Sequence, residues 1–146
     1  MGGPPDPQAE ETFLRSKLNL ELSHKDRHRT LHSFYQELLR LRREVAALAF
    51  LSKEQMSVVT DEEAKVLFVR RWHDNDEVIL ALCFSETGVA VKLPVPAGRW
   101  SKLLDSADAV WDGPGTALAG QIDSTGGLEV ALKPRSAVLY RRCMEA

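Results

Sequence analysis

The chain has 146 residues, carries a formal net charge of −2, and is 44% hydrophobic and 27% charged. These values are typical of one globular domain with an appended segment, and the lack of a basic surplus argues against nucleic acid as a partner. No stretch reaches the roughly 18 apolar residues that a membrane span requires, and the start of the chain lacks the basic and apolar pattern of a signal peptide. We therefore expect a cytoplasmic protein with no membrane partner.

The first third of the chain predicts one long helix after a less regular lead-in. Residues 1–25 predict an irregular segment, with a short helix over 10–17 and an extended stretch over 19–23. From Asp26, which can cap a helix, a helical pattern runs to residue 48. Its apolar side chains recur every three or four residues and form one face: Leu31, Phe34, Tyr35, Leu38, Leu39, Leu41 and Val45.

After residue 50 the pattern changes to short strands joined by tight turns. Candidate strands lie at 55–60, 65–72, 78–84, 89–93, 99–104, 128–132 and 137–141. Short strands at this spacing predict an antiparallel sandwich over residues 50–143. The expected fold is therefore mainly β, an antiparallel β-sandwich preceded by an irregular N-terminal segment and one long amphipathic helix.

Histidine pairs are the first candidates for chemistry, and the pattern favours neither catalysis nor metal binding. His73 and Asp74 stand at a strand end, but the polar residues that follow are typical of a hairpin turn. His28 and His32 are one helical turn apart, yet Arg29 stands where a zinc protease motif has its glutamate. We therefore predict no catalytic residue, no metal ligand and no bound cofactor in this chain.

Tryptophans are the candidates for ligand binding, because an exposed indole can stack on a sugar ring. Trp111 lies in the loop 105–115 and Trp72 stands near a strand end, whereas Trp100 alternates with leucines and is expected in the core. Trp111 is the stronger candidate for sugar stacking and Trp72 the second. The alternative for a loop tryptophan is that it packs against neighbouring side chains.

Several segments, in this order, resemble malto-oligosyltrehalose trehalohydrolase, an α-amylase-type enzyme of glycoside hydrolase family 13. They are residues 6–8, 12–18 and the helix segment 35–43, together with the loop LLDSAD at 103–108 and WDGPG at 111–115. The loop is the most specific match. The ending at 134–140 is shared more widely among C-terminal domains of α-amylase-type enzymes.

The resemblance implies a fold and a role. Enzymes of this family have an N-terminal sandwich, a (β/α)₈ barrel and a C-terminal sandwich, and they release trehalose by hydrolysing an α-1,4 bond. Their catalytic carboxylates lie on barrel strands that would precede residue 1 here. The resemblance therefore implies a non-catalytic C-terminal fragment, with residues 26–48 as the last barrel helix and residues 50–143 as a domain that packs on the barrel.

Two alternatives remain open within this interpretation. The chain is either the structural tail of such a glycosidase or a free-standing module that binds α-glucan through Trp111 or Trp72. The apolar helix face at 28–47 also needs a cover, because burying apolar surface stabilises a fold by about 25 cal/mol per Å². We expect either the sandwich or a second copy of the chain, in a homodimer, to provide it when no barrel is present.

Overall fold

The computed structural model describes residues 5–116 and 118–143. Its helices are α1 (Glu10–Ser16), α2 (Asp26–Glu44) and α3 (Ala46–Ala49), with single 3₁₀ turns at Leu20–His24 and Ala109–Trp111. In the described part of the chain the strands are β1 (Met56–Asp61), β2 (Val66–His73), β3 (Asp76–Cys83), β4 (Val89–Leu93), β5 (Gly98–Asp105), β6 (Gln121–Ser124), β7 (Leu128–Leu132) and β8 (Ser136–Arg142).

The strands form two antiparallel sheets, which confirms the mainly β sandwich expected from the sequence. The large sheet has the order β1-β2-β3-β8-β5-β6, and β4 pairs with β7 in a small sheet. Successive side chains of a strand point to opposite faces of its sheet. In β8, Val138 and Tyr140 therefore face the small sheet, while Leu139 faces the helices.

The main core lies between the two sheets. Trp100 is fully buried in it, as the sequence predicted, and its indole Nε1 donates a hydrogen bond to the carbonyl of Pro96 at 3.1 Å. A buried indole N–H left without an acceptor would destabilise the fold. The other buried members of this core are Val66, Phe68, Ile79, Ala81, Cys83, Val91, Leu93, Val95, Leu132, Val138 and Tyr140.

A second core joins the helices to the outer face of the large sheet. Leu41, Val45 and Ala47 are buried there against strands of the sheet. The strand residues in this cluster are Val78, Leu104 and Leu139. The sandwich of the same chain thus covers the C-terminal part of the apolar helix face, and the N-terminal part of that face stays exposed.

Four details differ from the sequence expectations. The helix expected over 26–48 ends at Glu44, because Val45 is extended (φ −92°, ψ 112°), and α3 begins at Ala46. Asp26 does not cap α2; it lies inside the first turn with φ 43°, and Lys25 precedes it. Residues 19–23 are not extended, since Asn19 accepts the N–H of Glu21 and starts a 3₁₀ turn. The sequence pattern predicts no strand at β6, because the only apolar residue of this strand is Ile122.

Candidate functional site

The loop that carries Trp111 is a compact structure closed by its own backbone. The amide of Gly115 donates to the carbonyl of Ala107 at 2.8 Å, and the amide of Gly113 donates to Asp108 at 3.1 Å. Asp105 is 1% exposed, and its Oδ1 accepts the amide of Ala107 at 2.9 Å. A Cβ on Gly113 would stand 2.8 Å from the Cα of Ala107 and closer still to its carbonyl group. The packing and hydrogen bonds of the loop itself therefore explain the motif WDGPG at 111–115.

Trp111 is half-buried and packs against the helix. Its ring meets Phe34 of α2 edge to face, with centroids 5.2 Å apart and planes at 70°. A groove of about 510 Å³ lies beside this contact, between Arg27, Leu31 and Ser106. This aromatic contact joins the loop to α2, as in the packing alternative, and the ring of Trp111 also lines the groove.

Beneath the loop lies a cluster of buried polar groups. Lys102 Nζ donates to the carbonyl of Leu118 at 3.1 Å and lies 3.7 Å from Oδ2 of both Asp105 and Asp108. Tyr140 donates its hydroxyl proton to the carbonyl of Ala119 at 2.7 Å. Burial, with the nearby charges of Asp105 and Asp108, raises the pKa of Tyr140 to about 12. These bonds hold the segment before β6 against β5 and β8.

Trp72 lies in a different place, near the end of β2 and beside a cavity whose lining includes no residue of β4 or β7. The cavity, of about 930 Å³, opens between strands and their flanking turns. We call it the Trp72 groove, lined among others by Arg70, Trp72, Glu77, Arg99, Asp123 and Arg142. The register places Trp72 directly opposite Glu77 on the face that, further along the strands, forms the main core.

Glu77 organises the floor of the Trp72 groove. Its side chain is 8% exposed, and its two oxygens accept hydrogen bonds from Arg70 Nε and, at 2.8 Å, from Arg142 Nη1. Arg142 Nη2 also donates to the carbonyl of Ala97 at 2.8 Å. The guanidinium of Arg70 lies over the Trp72 ring, 5.0 Å from its centroid. A carboxylate this buried requires such pairing.

The groove is electrically balanced. Its lining contains three arginines and three carboxylates, namely Arg70, Arg99, Arg142, Asp74, Glu77 and Asp123. Arg99 Nε donates to Asp123 Oδ1 at 3.0 Å at the rim. The site therefore offers an indole with both donors and acceptors, and without a net charge.

Sequence reasoning singled out Trp72 and missed the residues around it. The missed signal was Glu77, which shares a strand face with Ile79, Ala81 and Cys83 and so occupies a position where an apolar residue is expected. The bonds to Arg70 and Arg142 join three strands, and no local pattern predicts them.

The histidines do not group together: His28 lines the groove beside Trp111, and His73 follows Trp72 and lies 3.6 Å from Asp74 at the Trp72 groove. His73 stacks on Phe50 with ring centroids 4.4 Å apart, and its Nδ1 lies 3.3 Å from Gln55 Oε1. His24, His28 and His32 are exposed. Over residues 5–116 and 118–143, no three His, Cys, Asp or Glu side chains group in a way that could hold a metal ion. Over the same residues, no helix is long and apolar enough to span a membrane.

Comparison with known proteins gives the chain relatives along nearly its whole length. Residues 57–139 match a family model described as a domain of unknown function, DUF3459. A malto-oligosyltrehalose trehalohydrolase from Rhizobium sp. (strain M-11) is 32% identical over 137 residues, which are 94% of this chain and 20% of that protein. One from Deinococcus radiodurans is 42% identical over 98 residues, 65% of this chain and 16% of the relative. The chain thus spans about a fifth of the length of these relatives.

Solved structures show the same architecture. A candidate alpha amylase from Salmonella typhimurium superimposes with a TM-score of 0.63 at 27% identity, covering 95% of this chain and 20% of that one. AmyP E221Q, solved in complex with maltotriose, superimposes with a TM-score of 0.62 at 17% identity, covering 88% of this chain and 23% of that one. At this identity the likeness indicates a shared fold only.

Proposed function

Because the chain belongs to the DUF3459 family, we propose that it is the non-catalytic C-terminal domain of a cytoplasmic glycosidase resembling malto-oligosyltrehalose trehalohydrolase. The larger enzyme would hydrolyse the α-1,4 bond that releases trehalose, on a barrel outside this chain. Relatives with that name, of which the chain spans about a fifth, support the proposal. In it, segment 26–48 is the last barrel helix and residues 50–143 are the domain that packs on the barrel.

One observation carries the proposal: the helix has an apolar face that nothing in the described chain covers completely. Leu31, Tyr35 and Leu39 are each more than half exposed. Burying one such side chain contributes about 1.5–3 kcal/mol, and an exposed apolar patch of this kind marks a contact surface. The lead-in adds more exposed apolar side chains: Phe13, Leu14, Leu18 and Leu20. A catalytic barrel is the cover that accounts for both segments.

A chimeric enzyme tests this role. The region of the Rhizobium sp. (strain M-11) trehalohydrolase that matches this chain over 137 residues is replaced by residues 5–143, and trehalose release from malto-oligosyltrehalose is measured. We expect activity within roughly tenfold of the intact enzyme, since the barrel supplies the chemistry and the domain supplies packing. Activity no higher than that of an enzyme truncated before this region would contradict the proposal.

A matched pair of variants examines the helix face within the chimera. Leu39→Glu places a charge on the apolar face and is expected to lower the thermal stability of the chimera, whereas Gln36→Glu on the exposed polar side is expected to leave it unchanged. Light scattering of the isolated chain tests whether a second copy of the chain covers the helix face. A homodimer that Leu39→Glu converts to a monomer would show that a second copy covers this face when no barrel is present.

α-Glucan binding is the second candidate function. The Trp72 groove is the observation that favours it, because Trp72 lies there among donors and acceptors, whereas Trp111 is engaged with Phe34.

A further inference from the structure

We propose that the Trp72 groove is a binding site for a neutral saccharide chain, and that Trp111 takes no part in it. The inference rests on the second candidate function and names its site and the chemistry of its ligand. Ligand sites of this size combine apolar or aromatic surface with a few placed polar groups. The groove of about 930 Å³ has both, with the indole of Trp72 beside the side chains of Arg70 and Arg142.

Charge decides which class of ligand the groove fits. Its lining contains as many guanidiniums as carboxylates, three of each, and Arg99 is already hydrogen-bonded to Asp123 at the rim, at 3.0 Å. A phosphate or another polyanion gains little from a surface without net charge. A sugar hydroxyl both donates and accepts hydrogen bonds, so a mixed surface of guanidinium and carboxylate groups satisfies it.

The polar groups of the floor are held in place before any ligand arrives. Glu77 binds one donor of Arg70 and one of Arg142, whose side chains remain 38% and 41% exposed. A guanidinium has five N–H donors, so both arginines keep donors for a ligand. Gly98, with φ 137°, leaves the space that Arg142 fills, since a Cβ there would stand 3.1 Å from Arg142 Nε. Donors fixed in this way lose less freedom on binding, which favours affinity.

Titration with maltoheptaose, followed by the indole N–H signals in a two-dimensional NMR spectrum, tests the proposal on the isolated chain. The chain has three tryptophans, each in a distinct environment. We expect a saturable shift of the Trp72 signal at millimolar sugar. The signal of Trp111, packed on Phe34, serves as the internal control and is expected to stay in place, whereas the ring of Trp100 lies 5.9 Å from the Arg142 guanidinium and its signal can shift with that of Trp72.

Variants separate the groove from the other tryptophan. Trp72→Ala is expected to raise the dissociation constant roughly tenfold or more, with Trp72→Phe in between, because a ring stacked on the ligand is removed or reduced. Trp111→Phe should leave the dissociation constant unchanged. An unchanged far-ultraviolet circular dichroism spectrum reports that each variant is folded.

Three results would overturn the proposal: no shift up to about 100 mM sugar, a shift centred on Trp111, or saturable binding of inorganic phosphate to the groove in place of the sugar. None of these affects the packing role, which the activity of the chimera reports. Likewise, an inactive chimera leaves the sugar titration of the isolated chain to be judged by itself.

Discussion

The carboxylate of Asp76 accepts a hydrogen bond from the backbone N–H of Ala47, at 3.1 Å, although the two residues lie on opposite sides of the helix–sandwich boundary. Its other oxygen accepts Arg141 Nε at 2.6 Å. The first N–H groups of a helix have no acceptor within the helix, and Asp76 provides the acceptor for one such group in α3. This side chain, only 11% exposed, joins the helices, the β2–β3 hairpin and β8.

We predict that Asp76→Ala lowers the free energy of unfolding by about 2 kcal/mol, because it leaves a helix N–H and a partly buried guanidinium without their acceptor. Urea denaturation followed by circular dichroism measures the change. Asp74→Asn is the matched control in the same hairpin: its side chain is 85% exposed, and asparagine tolerates the positive φ of 50° there. Equal stability of the two variants would show that Asp76 does not join the helices to the sandwich.

Gly113 yields a prediction about the most specific loop motif. A methyl group at Gly113 overlaps the backbone of Ala107, which is fixed by bonds to Asp105 and Gly115 and cannot move freely. We expect Gly113→Ala to lower the free energy of unfolding by roughly 2–3 kcal/mol. Gly120→Ala is the control, since no atom lies within 4 Å of a Cβ built there. A Gly113→Ala protein as stable as Gly120→Ala would mean that the loop is held in another conformation.

Strand positions were largely predictable, because each buried strand shows its own alternation or apolar run. The expected strands over 89–93 and 128–132 coincide with β4 and β7. The same rule fails for β6, where Ile122 stands alone among polar residues and the strand is held by its pairing with β5. Propensity and pattern are local, whereas a short strand of this kind depends on its neighbour.

The helix break at Val45 and the Trp72 groove could not be predicted from the sequence, because both depend on contacts between distant parts of the chain. Val45 keeps the spacing of the apolar helix face and is buried, yet its backbone is extended. The groove depends on Glu77 and Arg142, which are 65 positions apart. Only the fold brings such groups together, so the sequence could indicate Trp72 but not the ion pairs that surround it.

The contact between Phe34 and Trp111 predicts a measurable coupling between α2 and the loop. In a double-mutant cycle with Phe34→Leu and Trp111→Leu, we expect a coupling energy of about 1 kcal/mol, because edge-to-face rings attract each other beyond the area that they bury. Pairing Phe34→Leu with Val110→Ala provides the control, since Val110 adjoins Trp111 in sequence but is 68% exposed. Additive effects in the first cycle would show that the rings contribute only by burial.

The pKa of Tyr140 predicts how stability changes at high pH. The chain has two tyrosines, so Tyr35→Phe leaves Tyr140 as the only phenol, and absorbance of the phenolate is expected to titrate near pH 12 in the folded protein. An unfolded tyrosine titrates near 10. Between these values the unfolded state has lost the proton that the folded state retains, so the free energy of unfolding falls as pH rises.

Below about pH 10 this contribution of Tyr140 is fully present. We therefore expect the stability difference between the Tyr35→Phe protein and the Tyr35→Phe/Tyr140→Phe protein to shrink steadily from pH 10 to pH 12, measured by urea denaturation at each pH. The pair of proteins differs by one hydroxyl, so the effects of pH on the rest of the chain cancel in the comparison. A phenolate midpoint near 10, or a difference that does not change with pH, would mean that the hydroxyl of Tyr140 is solvated and does not hold the segment at Ala119.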